Sequence, residues 1–520
     1  MTLLFEGFFY TRQMRNKLFI LVLISITSCK AQEIQKPKIE FRGVWIATVV
    51  NIDWPKKPED DNIKKQNDFI AILDHYKKMN FNAVVVQIRT AGDAFYPSEL
   101  APISKYLTGK EGLPVNENLD FLKWMIIESH NRGFEFHAWL NPYRATFDLN
   151  TEILSPKHDY FIHNDWMIKY GTKFYYNPGM PQVQSHLTKV IEEVVKNYDI
   201  DAIHFDDYFY PYKIDKEFFN DTLSFKKNAL KDQNIDNWRR SNVDSLVKKV
   251  HFAIQKLKPK VQFGISPFGV WRNNNVDSLG SDSRAGQTTF DDLYADNKVW
   301  TKNKWIDYLA PQLYWSLENK RASHRKLMAW WNDNVDSVNL YIGNGTYKIR
   351  EDKDKAFKDK TEISKQIDLG RNTKNVKGNI FFSAVSLMNK NNDVVDLISK
   401  QYEELALPPS SPFFEKNNPE IPLITTIKKE SDCVKFELKS NFSTAFQYII
   451  LYEINQDASQ KIIQKEVINQ YNLINFISVK TENLNVNKTY GLTFFDQNGN
   501  ESGLLKFNFD IEKMEFKTVQ

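Results

Sequence analysis

The stretch IHFDDYFYP, residues 203–211, ends an apolar run with two adjacent aspartates, Asp206 and Asp207, followed at once by aromatic residues. Adjacent carboxylates repel each other, and an aromatic cluster is costly to leave in water. Successive side chains of a β-strand point to opposite faces, so one face here is apolar and the other carries His204, Asp206 and Tyr208. This pattern indicates a buried strand whose polar end opens into a pocket.

Seven other short apolar runs accompany this strand, and longer amphipathic runs separate them. The eight strand candidates cover residues 41–50, 82–90, 134–143, 201–208, 261–269, 307–315, 339–347 and 378–386. The clearest helical stretches cover residues 119–133, 181–198 and 243–259. Eight strands that alternate with helices predict an α/β fold, the TIM (β/α)8 barrel, because right-handed crossovers close such a sheet. A doubly wound open sheet is the alternative, but no glycine-rich phosphate loop follows the first strand.

Alternation within these strands predicts which side chains point into the barrel. The inward set is Gln87, Arg89, His137, Trp139, Asn141, His204, Asp206, Ser266, Gln312 and Tyr314. These side chains converge near the C-terminal strand ends, where TIM barrels keep their active sites. Asp207 lies where its strand ends and can turn either way. Purely structural roles are also open: Asp206 can pair with Arg89, and His137 and His204 can be satisfied core histidines.

Composition argues against several classes of partner. The net charge is +4 and no basic run occurs, so nucleic acid is not expected as a partner. The nine histidines form no H-x-H or H-E-x-x-H arrangement, so a metal site is not expected. No cofactor is predicted. Aromatic residues make up 14% of the chain. Such rings can stack on sugars, although most of them are expected in the core.

The N-terminus resembles an export signal. Basic residues after Met14 precede an apolar core, residues 18–26, which is too short to cross a membrane as a helix. The core ends in ITSC, which resembles the lipobox at which bacterial lipoproteins are lipidated on cysteine. Residues 1–29 are therefore predicted to be a signal peptide and lipobox, with Met14 as the true start and Cys29 as the lipid anchor. The predicted location is the cell envelope; a chance cysteine after a plain signal peptide is the alternative.

Seven motifs resemble the glycosyl-hydrolase-like 10 family of exported bacterial proteins. They are FRGVWIATV (41–49), NIDWP (51–55), LNPYR (140–144), YYNPGMPQV (175–183), YDIDAIHFDDYFYP (198–211), GISPFGVWRN (264–273) and DYLAPQLYW (307–315). The resemblance implies a TIM-barrel glycoside hydrolase domain over residues 38–405. Family members with an assigned activity act on cell-wall glycan and release N-acetylglucosamine from a neighbouring de-N-acetylated muramic acid. A glucosaminidase acting on peptidoglycan is therefore the expected function.

Most glycosidases use two carboxyl groups, and Asp206 with Asp207 is the expected pair. Glu318, in the loop after the sixth strand, is the reserve partner for Asp206. If the substrate is an N-acetylhexosamine, its acetamido oxygen can serve as the nucleophile, while one carboxylate orients the acetamide and the other acid donates a proton. Tyr314 is the candidate to bond that acetamide. The identity of the donor and the stereochemical outcome stay open at this point.

Other residues near the barrel mouth are predicted to bind the glycan. They are Arg89, His137, Trp139, Asn141, His204, Tyr208, Gln312 and Trp315. The polar members can bond hydroxyl groups and the aromatic members can stack on ring faces. Trp54, after the first strand, either joins them or packs its loop. Two alternative functions also fit: a non-catalytic glycan-binding lipoprotein, and a hydrolase of a different polysaccharide.

The pattern changes after the barrel. Residues 406–420 contain four prolines and no amphipathic period, which predicts a linker. Residues 421–515 then carry short strand candidates and a turn at Asn498–Gly499. They predict a small all-β sandwich of the fibronectin type III or immunoglobulin kind. The segment TYGLTFFDQNGNES resembles the sixth-strand signature of the fibronectin type, with Tyr490 in the corner position.

Overall fold

The computed structural model describes residues 36–115, 119–335, 337–388, 390–439, 446–468 and 475–519. The predicted signal peptide and lipobox, residues 1–29 with Cys29, lie outside these described residues. Within the described ranges, no helix combines the length and the apolar character needed to cross a membrane.

Eight parallel strands form a closed barrel. In chain order the strands of this region are β1 (Phe41–Ile46), β2 (Ala83–Arg89), β3 (Glu135–Leu140), β4 (Met167–Tyr170), β5 (Lys173–Tyr176), β6 (Ala202–Phe205), β7 (Gln262–Ile265), β8 (Tyr308–Leu309), β9 (Asn339–Asn344) and β10 (Val376–Phe381). The hairpin β4–β5 stands apart, and the others close in the order β1-β10-β9-β8-β7-β6-β3-β2. The predicted TIM barrel and its eight strands are confirmed, whereas the hairpin was not predicted.

Helices surround the barrel. They are α1 (Asn62–Lys78), α2 (Lys105–Thr108), α3 (Phe121–Asn131), α4 (Asp159–Ile162), α5 (Pro181–Asn197), α6 (Thr222–Asn228), α7 (Ile235–Leu257), α8 (Asn297–Lys302), α9 (His324–Asn334), α10 (Glu362–Arg371) and α11 (Asn392–Gln401). Side-chain caps fix several starts: Asp120 accepts from the Lys123 amide at α3 and Asn234 from the Asn237 amide at α7. The Asn234 cap explains why α7 begins earlier than the predicted residue 243.

The lower part of the barrel interior is filled by aromatic and imidazole rings. Phe41 stacks on Tyr341 with ring centroids 4.1 Å apart. The Tyr308 hydroxyl lies 2.8 Å from Nδ1 of His137 and 2.9 Å from Nδ1 of His204. This packed layer closes the barrel interior from below, and the cavity that described residues line inside the barrel opens above it, towards the C-terminal strand ends.

A bulge in β2 takes Arg89 out of the predicted alternation. Gln87 pairs with Trp139 and Arg89 with Leu140, so two residues of β2 oppose one step of β3. The Arg89 side chain is buried outside the barrel, with Nη2 3.4 Å from the Tyr176 hydroxyl. The predicted inward position of Arg89 and its pairing with Asp206 are therefore corrected, because alternation holds only where the strand is regular.

The C-terminal region is an all-β domain, as predicted. Its strands are β11 (Leu423–Glu430), β12 (Cys433–Lys439), β13 (Phe446–Ile454), β14 (Gln460–Val467), β15 (Asn475–Lys480), β16 (Thr489–Asp496), β17 (Leu505–Asp510) and β18 (Glu515–Thr518). They form two antiparallel sheets, β11-β12-β15 and β14-β13-β16-β17-β18. Phe436, Leu451 and Phe507 are buried in the core that these strands share.

This domain contacts the end of the barrel at which the strands begin. Lys465 of β14 donates from Nζ to the Gly133 carbonyl, 2.9 Å away and just before β3. Lys38, before β1, pairs with Glu501 at 2.7 Å. Because the opposite ends of the strands hold the acid pair, no described side chain of the β domain lines the cavity beside that pair.

Candidate active site

A cavity of about 310 Å³ opens at the C-terminal ends of the barrel strands. Its lining residues are Trp45, Val49, Ile52, Gln87, Trp139, Asn141, Arg144, Asp206, Asp207, Tyr208, Tyr212, Ser266, Gln312, Tyr314, Tyr347 and Phe382. A second cavity of about 370 Å³ lies at the opposite end, between barrel and β domain. The first is the candidate active site, since TIM barrels place catalysis at the C-terminal face. Among the described residues, no three histidines, cysteines or acids are grouped to hold a metal ion.

Asp206 is held by three hydrogen-bond donors. Asn141 Nδ2 donates to one carboxyl oxygen at 3.1 Å, and Gln312 Nε2 donates to the other at 3.1 Å. The backbone amide of Asp207 donates to that second oxygen at 2.9 Å. The Asp206 side chain therefore stands in one orientation at the cavity floor, as an acceptor between two amide groups.

Asp207 meets different surroundings. Its side chain is buried, and the Tyr212 hydroxyl donates a short hydrogen bond to Oδ2. Burial raises the pKa of Asp207 well above its ordinary value, and the negative charge of Asp206 raises it further, while the Tyr212 bond acts in the opposite direction. Asp207 therefore keeps its proton at a pH at which an exposed aspartate has lost it.

A chain of amide groups fixes the acid floor to the backbone. Gln87 Nε2 donates to Asn141 Oδ1 at 2.7 Å, and Gln87 Oε1 accepts from the Val49 amide at 2.9 Å. On the other side, Gln312 Nε2 also donates to the Ser266 carbonyl at 2.9 Å. Each amide thus has one possible orientation, which in turn orients Asp206. Gln87 carries this role although only its inward position was predicted.

Aromatic rings form the cavity wall. Tyr314 and Phe382 stack with centroids 6.0 Å apart, and Trp139 meets Phe382 edge-on at 6.5 Å. The Trp139 indole N–H is buried without a partner among the described residues. Predicted and additional residues meet here: Trp139, Tyr208 and Tyr314 were expected, whereas Phe382 was not.

Several lining residues escaped the sequence prediction, two of them although motifs contain them. They are Trp45 in FRGVWIATV, Arg144 in LNPYR, and Tyr212, Tyr347 and Phe382. Tyr212 directly follows the IHFDDYFYP stretch, and its contact with Asp207 needs a tight turn that alternation does not describe. For Trp45 and Arg144, the sequence signal that could have identified them was their position inside a motif that carries the family resemblance.

Besides Arg89, three predicted binding residues lie away from the cavity. His137 and His204 are in the packed layer below it, where burial lowers the pKa of His204 well below its usual value. Trp315 packs edge-on against Phe268 at 5.5 Å and does not line the cavity. Trp54 is fully buried and donates from its indole to the Lys65 carbonyl at 2.7 Å, which makes it a loop-packing residue.

Glu318 does not meet Asp206, so the reserve acid pair is corrected. Its side chain is 73% exposed and pairs with Arg325 at 2.8 Å. The loop is held at its start, because the Ser316 hydroxyl donates to Asp354 at 2.6 Å and the Leu317 amide to Glu362 at 2.7 Å. These two hydrogen bonds turn the segment that follows β8 away from the cavity.

Comparison with known proteins identifies the family of the chain. Residues 40–359 match the family described as Glycosyl hydrolase-like 10. The chain is 41% identical over 478 residues to the glycosyl hydrolase YngK of Bacillus subtilis (strain 168), covering 89% of this chain and 92% of that protein. It is 36% identical over 372 residues to the glycosyl hydrolase DigH of Escherichia coli (strain K12), covering 67% and 84% respectively.

Among solved structures, the PgaB (BpsB) glycoside hydrolase domain from Bordetella bronchiseptica is similar over 70% of this chain and 99% of that one, with a TM-score of 0.47 and 11% identity. The family match covers more than half of the chain, and the two relatives named above are both called glycosyl hydrolases. The chain therefore belongs to the glycosyl hydrolase-like 10 family and is a glycoside hydrolase.

Proposed function

We propose that the protein is a lipid-anchored, exported glucosaminidase that cleaves a glycan containing N-acetylhexosamine, with peptidoglycan fragments bearing de-N-acetylated muramic acid as the substrate. One observation carries the mechanism: within the described part of the chain, the carboxyl groups that line the cavity are those of Asp206 and Asp207. Two-carboxyl glycosidases place their acids on either side of the scissile bond. Here the two acids are neighbours at one side, so the acetamido oxygen of the substrate is the nucleophile.

Asp207 is the proton donor in this mechanism. Its raised pKa and its bond from Tyr212 support this role, because a general acid must hold its proton until the leaving oxygen takes it. As the glycosidic bond breaks, the Asp207 proton passes to the leaving oxygen. The Asp207 carboxylate later takes a proton from the water that opens the cyclic intermediate, which restores the acid.

Asp206 and Tyr314 orient the acetamide. Asp206 accepts from the acetamide N–H, which pushes electron density onto the carbonyl oxygen as that oxygen bonds to the anomeric carbon. Tyr314, in the cavity wall, donates its hydroxyl to the same group. The bond from carbon to the leaving oxygen breaks as the ring of the intermediate forms, and water attack then gives a product with retained configuration.

The export signal and the family resemblance support the substrate. A lipobox ending at Cys29 would place a glycoside hydrolase in the cell envelope, where peptidoglycan is the abundant amino-sugar polymer. Trp139, Asn141, Tyr208 and Gln312 line the cavity and supply the stacking faces and amides that sugar binding needs.

Sugar release from purified, partially de-N-acetylated muropeptides tests the proposal. The protein should release N-acetylglucosamine with retention of configuration, read by proton NMR of the first-formed anomer. The Asp206→Asn variant should release it about 10²–10⁴-fold more slowly, as expected for loss of a catalytic carboxyl group. Release of the inverted anomer would rule out the acetamide route, and binding without release would favour a glycan-binding lipoprotein.

We also propose that residues 421–515 form a fibronectin type III-like domain, joined to the barrel domain (38–405) by the linker 406–420. The strand order of the two sheets supports this, because the consecutive strands β12 and β13 lie on opposite sheets. The Asn485 amide donates to the Tyr490 hydroxyl at 2.6 Å, the kind of backbone contact that a tyrosine corner makes.

A further inference from the structure

We propose that the catalytic cavity contains an anion subsite built on Arg144, which binds a carboxylate carried by the glycan. This inference rests on the proposed function for the identity of that glycan. Arg144 lines the same cavity as Asp206 and Asp207. Its side chain is 7% exposed, its Nε is buried without a partner, and within the described ranges its guanidinium donates no hydrogen bond and forms no ion pair.

The position of Arg144 is fixed by its backbone. It lies in the loop after β3, where the next two amides, Ala145 and Thr146, both donate to the Phe174 carbonyl of β5 at 3.1 Å. The Tyr176 amide donates back to the Tyr143 carbonyl at 2.9 Å. The hairpin β4–β5, which follows this loop in the chain, therefore holds the residue from both sides.

Two aromatic rings hold the guanidinium itself. Its central carbon lies 4.3 Å from the ring centroid of Tyr208 and 5.2 Å from that of Phe147. Stacking restricts the plane of the group without using its N–H donors. The donors thus stay available in a fixed fork, and the shape of that fork matches the two oxygens of a carboxylate.

Among the described residues, no carboxylate forms an ion pair with this cation. The oxygens of Asp206 accept from three amide donors instead of from Arg144, and Asp207 is the acid that burial keeps protonated. Asp148, the next acid along the loop, lies 3.7 Å from Lys105. Lys173 adds a second positive charge: burial lowers its pKa, and Arg144 lowers it further. A buried guanidinium without an anion is costly, so a substrate carboxylate completes the site.

The lactyl carboxylate of a muramic acid residue has the required chemistry wherever no peptide is amide-bonded to it, so the subsite selects peptide-free muramic acid among the fragments of the proposed substrate. This carboxylate is a planar anion on the sugar next to the proposed N-acetylglucosamine, so one disaccharide can engage both the acid pair and Arg144. This subsite would favour glycans that carry a carboxylate over neutral amino-sugar polymers. It therefore assigns a specificity that the acid pair by itself does not provide.

Binding of one disaccharide in two forms tests this. The probe is N-acetylglucosaminyl-muramic acid, with its lactyl carboxyl group either free or as the methyl ester, titrated calorimetrically into full-length Asp207→Asn protein, in which turnover is slow. The free acid should bind at least about tenfold more tightly than the ester, as expected for a charge-assisted pair. If the two forms bind with equal affinity, this first experiment overturns the proposal, and no Arg144 variant is needed.

Variants then assign the effect to Arg144. Adding Arg144→Gln should bring the two affinities within about threefold of each other, and Arg144→Lys should leave an intermediate ratio, because it keeps the charge and loses the fork. The matched control is Arg240→Gln, which removes a guanidinium stacked 4.1 Å from Phe290, outside the cavity. It should keep the full ratio. An unchanged ratio in either Arg144 variant would overturn the assignment.

The two proposals fail differently. If the unaltered protein does not hydrolyse the disaccharide but Asp207→Asn still prefers its acid form, the glucosaminidase mechanism fails and the anion subsite stands. If hydrolysis occurs at equal kcat/KM on acid and ester, the subsite fails and the mechanism stands.

Discussion

At the scale of single residues, Asp206 and Asp207 show how neighbouring side chains of one type acquire different chemistry. Both side chains are buried, but Asp206 accepts from Asn141 and Gln312, whereas Asp207 has the Tyr212 hydroxyl as its side-chain donor. A site that separates the protonation of two acids can use one as a proton donor and the other as an acceptor.

The leaving group of the substrate distinguishes these two roles. Asp207→Asn should lower kcat/KM on the natural glycan about 10²–10⁴-fold, because the amide cannot give up an acidic proton. On a dinitrophenyl N-acetylglucosaminide the loss should be much smaller, since that leaving group needs no protonation. Asp206→Asn should be impaired on both substrates, because the acetamide must be oriented in either case. Equal losses of Asp207→Asn on the two substrates would contradict its role as the donor.

The hydrogen bond from Tyr212 to Asp207 should influence the pH at which activity falls on the alkaline side. Activity that needs protonated Asp207 falls as the pH rises through the pKa of Asp207, which burial has raised and the Tyr212 bond partly lowers. Tyr212→Phe removes that bond, so the Asp207 pKa should rise and the alkaline limb of kcat/KM should move to higher pH. Tyr347→Phe, another change in the cavity lining, is the control and should leave the limb in place. A shift of the Tyr212→Phe limb to lower pH would contradict the assignment.

At the scale of elements, strand β7 depends on a glycine. A Cβ at Gly264 would lie 1.9 Å from Cζ of Tyr308, whose hydroxyl is held by two histidines and cannot retreat freely. Gly264→Ala should therefore lower the free energy of unfolding by about 1–3 kcal/mol, as overpacking of a barrel interior does. Urea unfolding followed by tryptophan fluorescence measures this change.

The matched control for this substitution is Gly286→Ala, since a Cβ at Gly286 meets nothing within 4 Å. Its unfolding midpoint should stay within the error of the unaltered protein. If Gly264→Ala were as stable as this control, the Tyr308 ring would have room to move, and the packed layer below the cavity would not be rigid.

At the scale of the whole molecule, Lys465 joins the β domain to the barrel. Burial lowers its pKa from 10.5 to about 8, although Glu135 of the barrel acts in the opposite direction. Between these two values the unfolded chain binds more protons than the folded one, so Lys465 makes the free energy of unfolding rise with pH in this window. At neutral pH its charged form is therefore a cost to the folded protein.

Lys465→Met should remove that pH dependence. The free energy of unfolding of the variant, taken relative to that of the unaltered protein, should be higher at pH 7.5 than at pH 10. The expected difference is on the order of 1 kcal/mol for a partly buried lysine. Urea unfolding at the two pH values measures the difference. Lys461→Met changes a half-exposed lysine on the same strand and should show no such difference. An equal effect of Lys465→Met at both pH values would show that the folded state does not depress this pKa.

The sequence by itself determined the architecture. Strand and helix periodicities are local, so the eight barrel strands and the all-β tail could be predicted from the spacing of apolar residues. The acid pair was also found locally, because alternation in one regular strand placed Asp206 at the mouth of the barrel. Trp139, Asn141, Gln312 and Tyr314 reached the cavity for the same reason.

Only the tertiary structure decided how the acids are surrounded. The bulge in β2 places Arg89 outside the cavity, and the anchored loop after β8 leaves Glu318 exposed and away from Asp206. A turn brings the Tyr212 hydroxyl into contact with Asp207. The position of Arg144, whose guanidinium has no hydrogen-bond partner among the described residues, likewise depends on the β4–β5 hairpin, which no sequence periodicity predicted. The Tyr212 contact arises from a local turn, and the other outcomes arise from contacts between segments distant in the chain. The spacing of apolar residues along one segment encodes neither kind of contact.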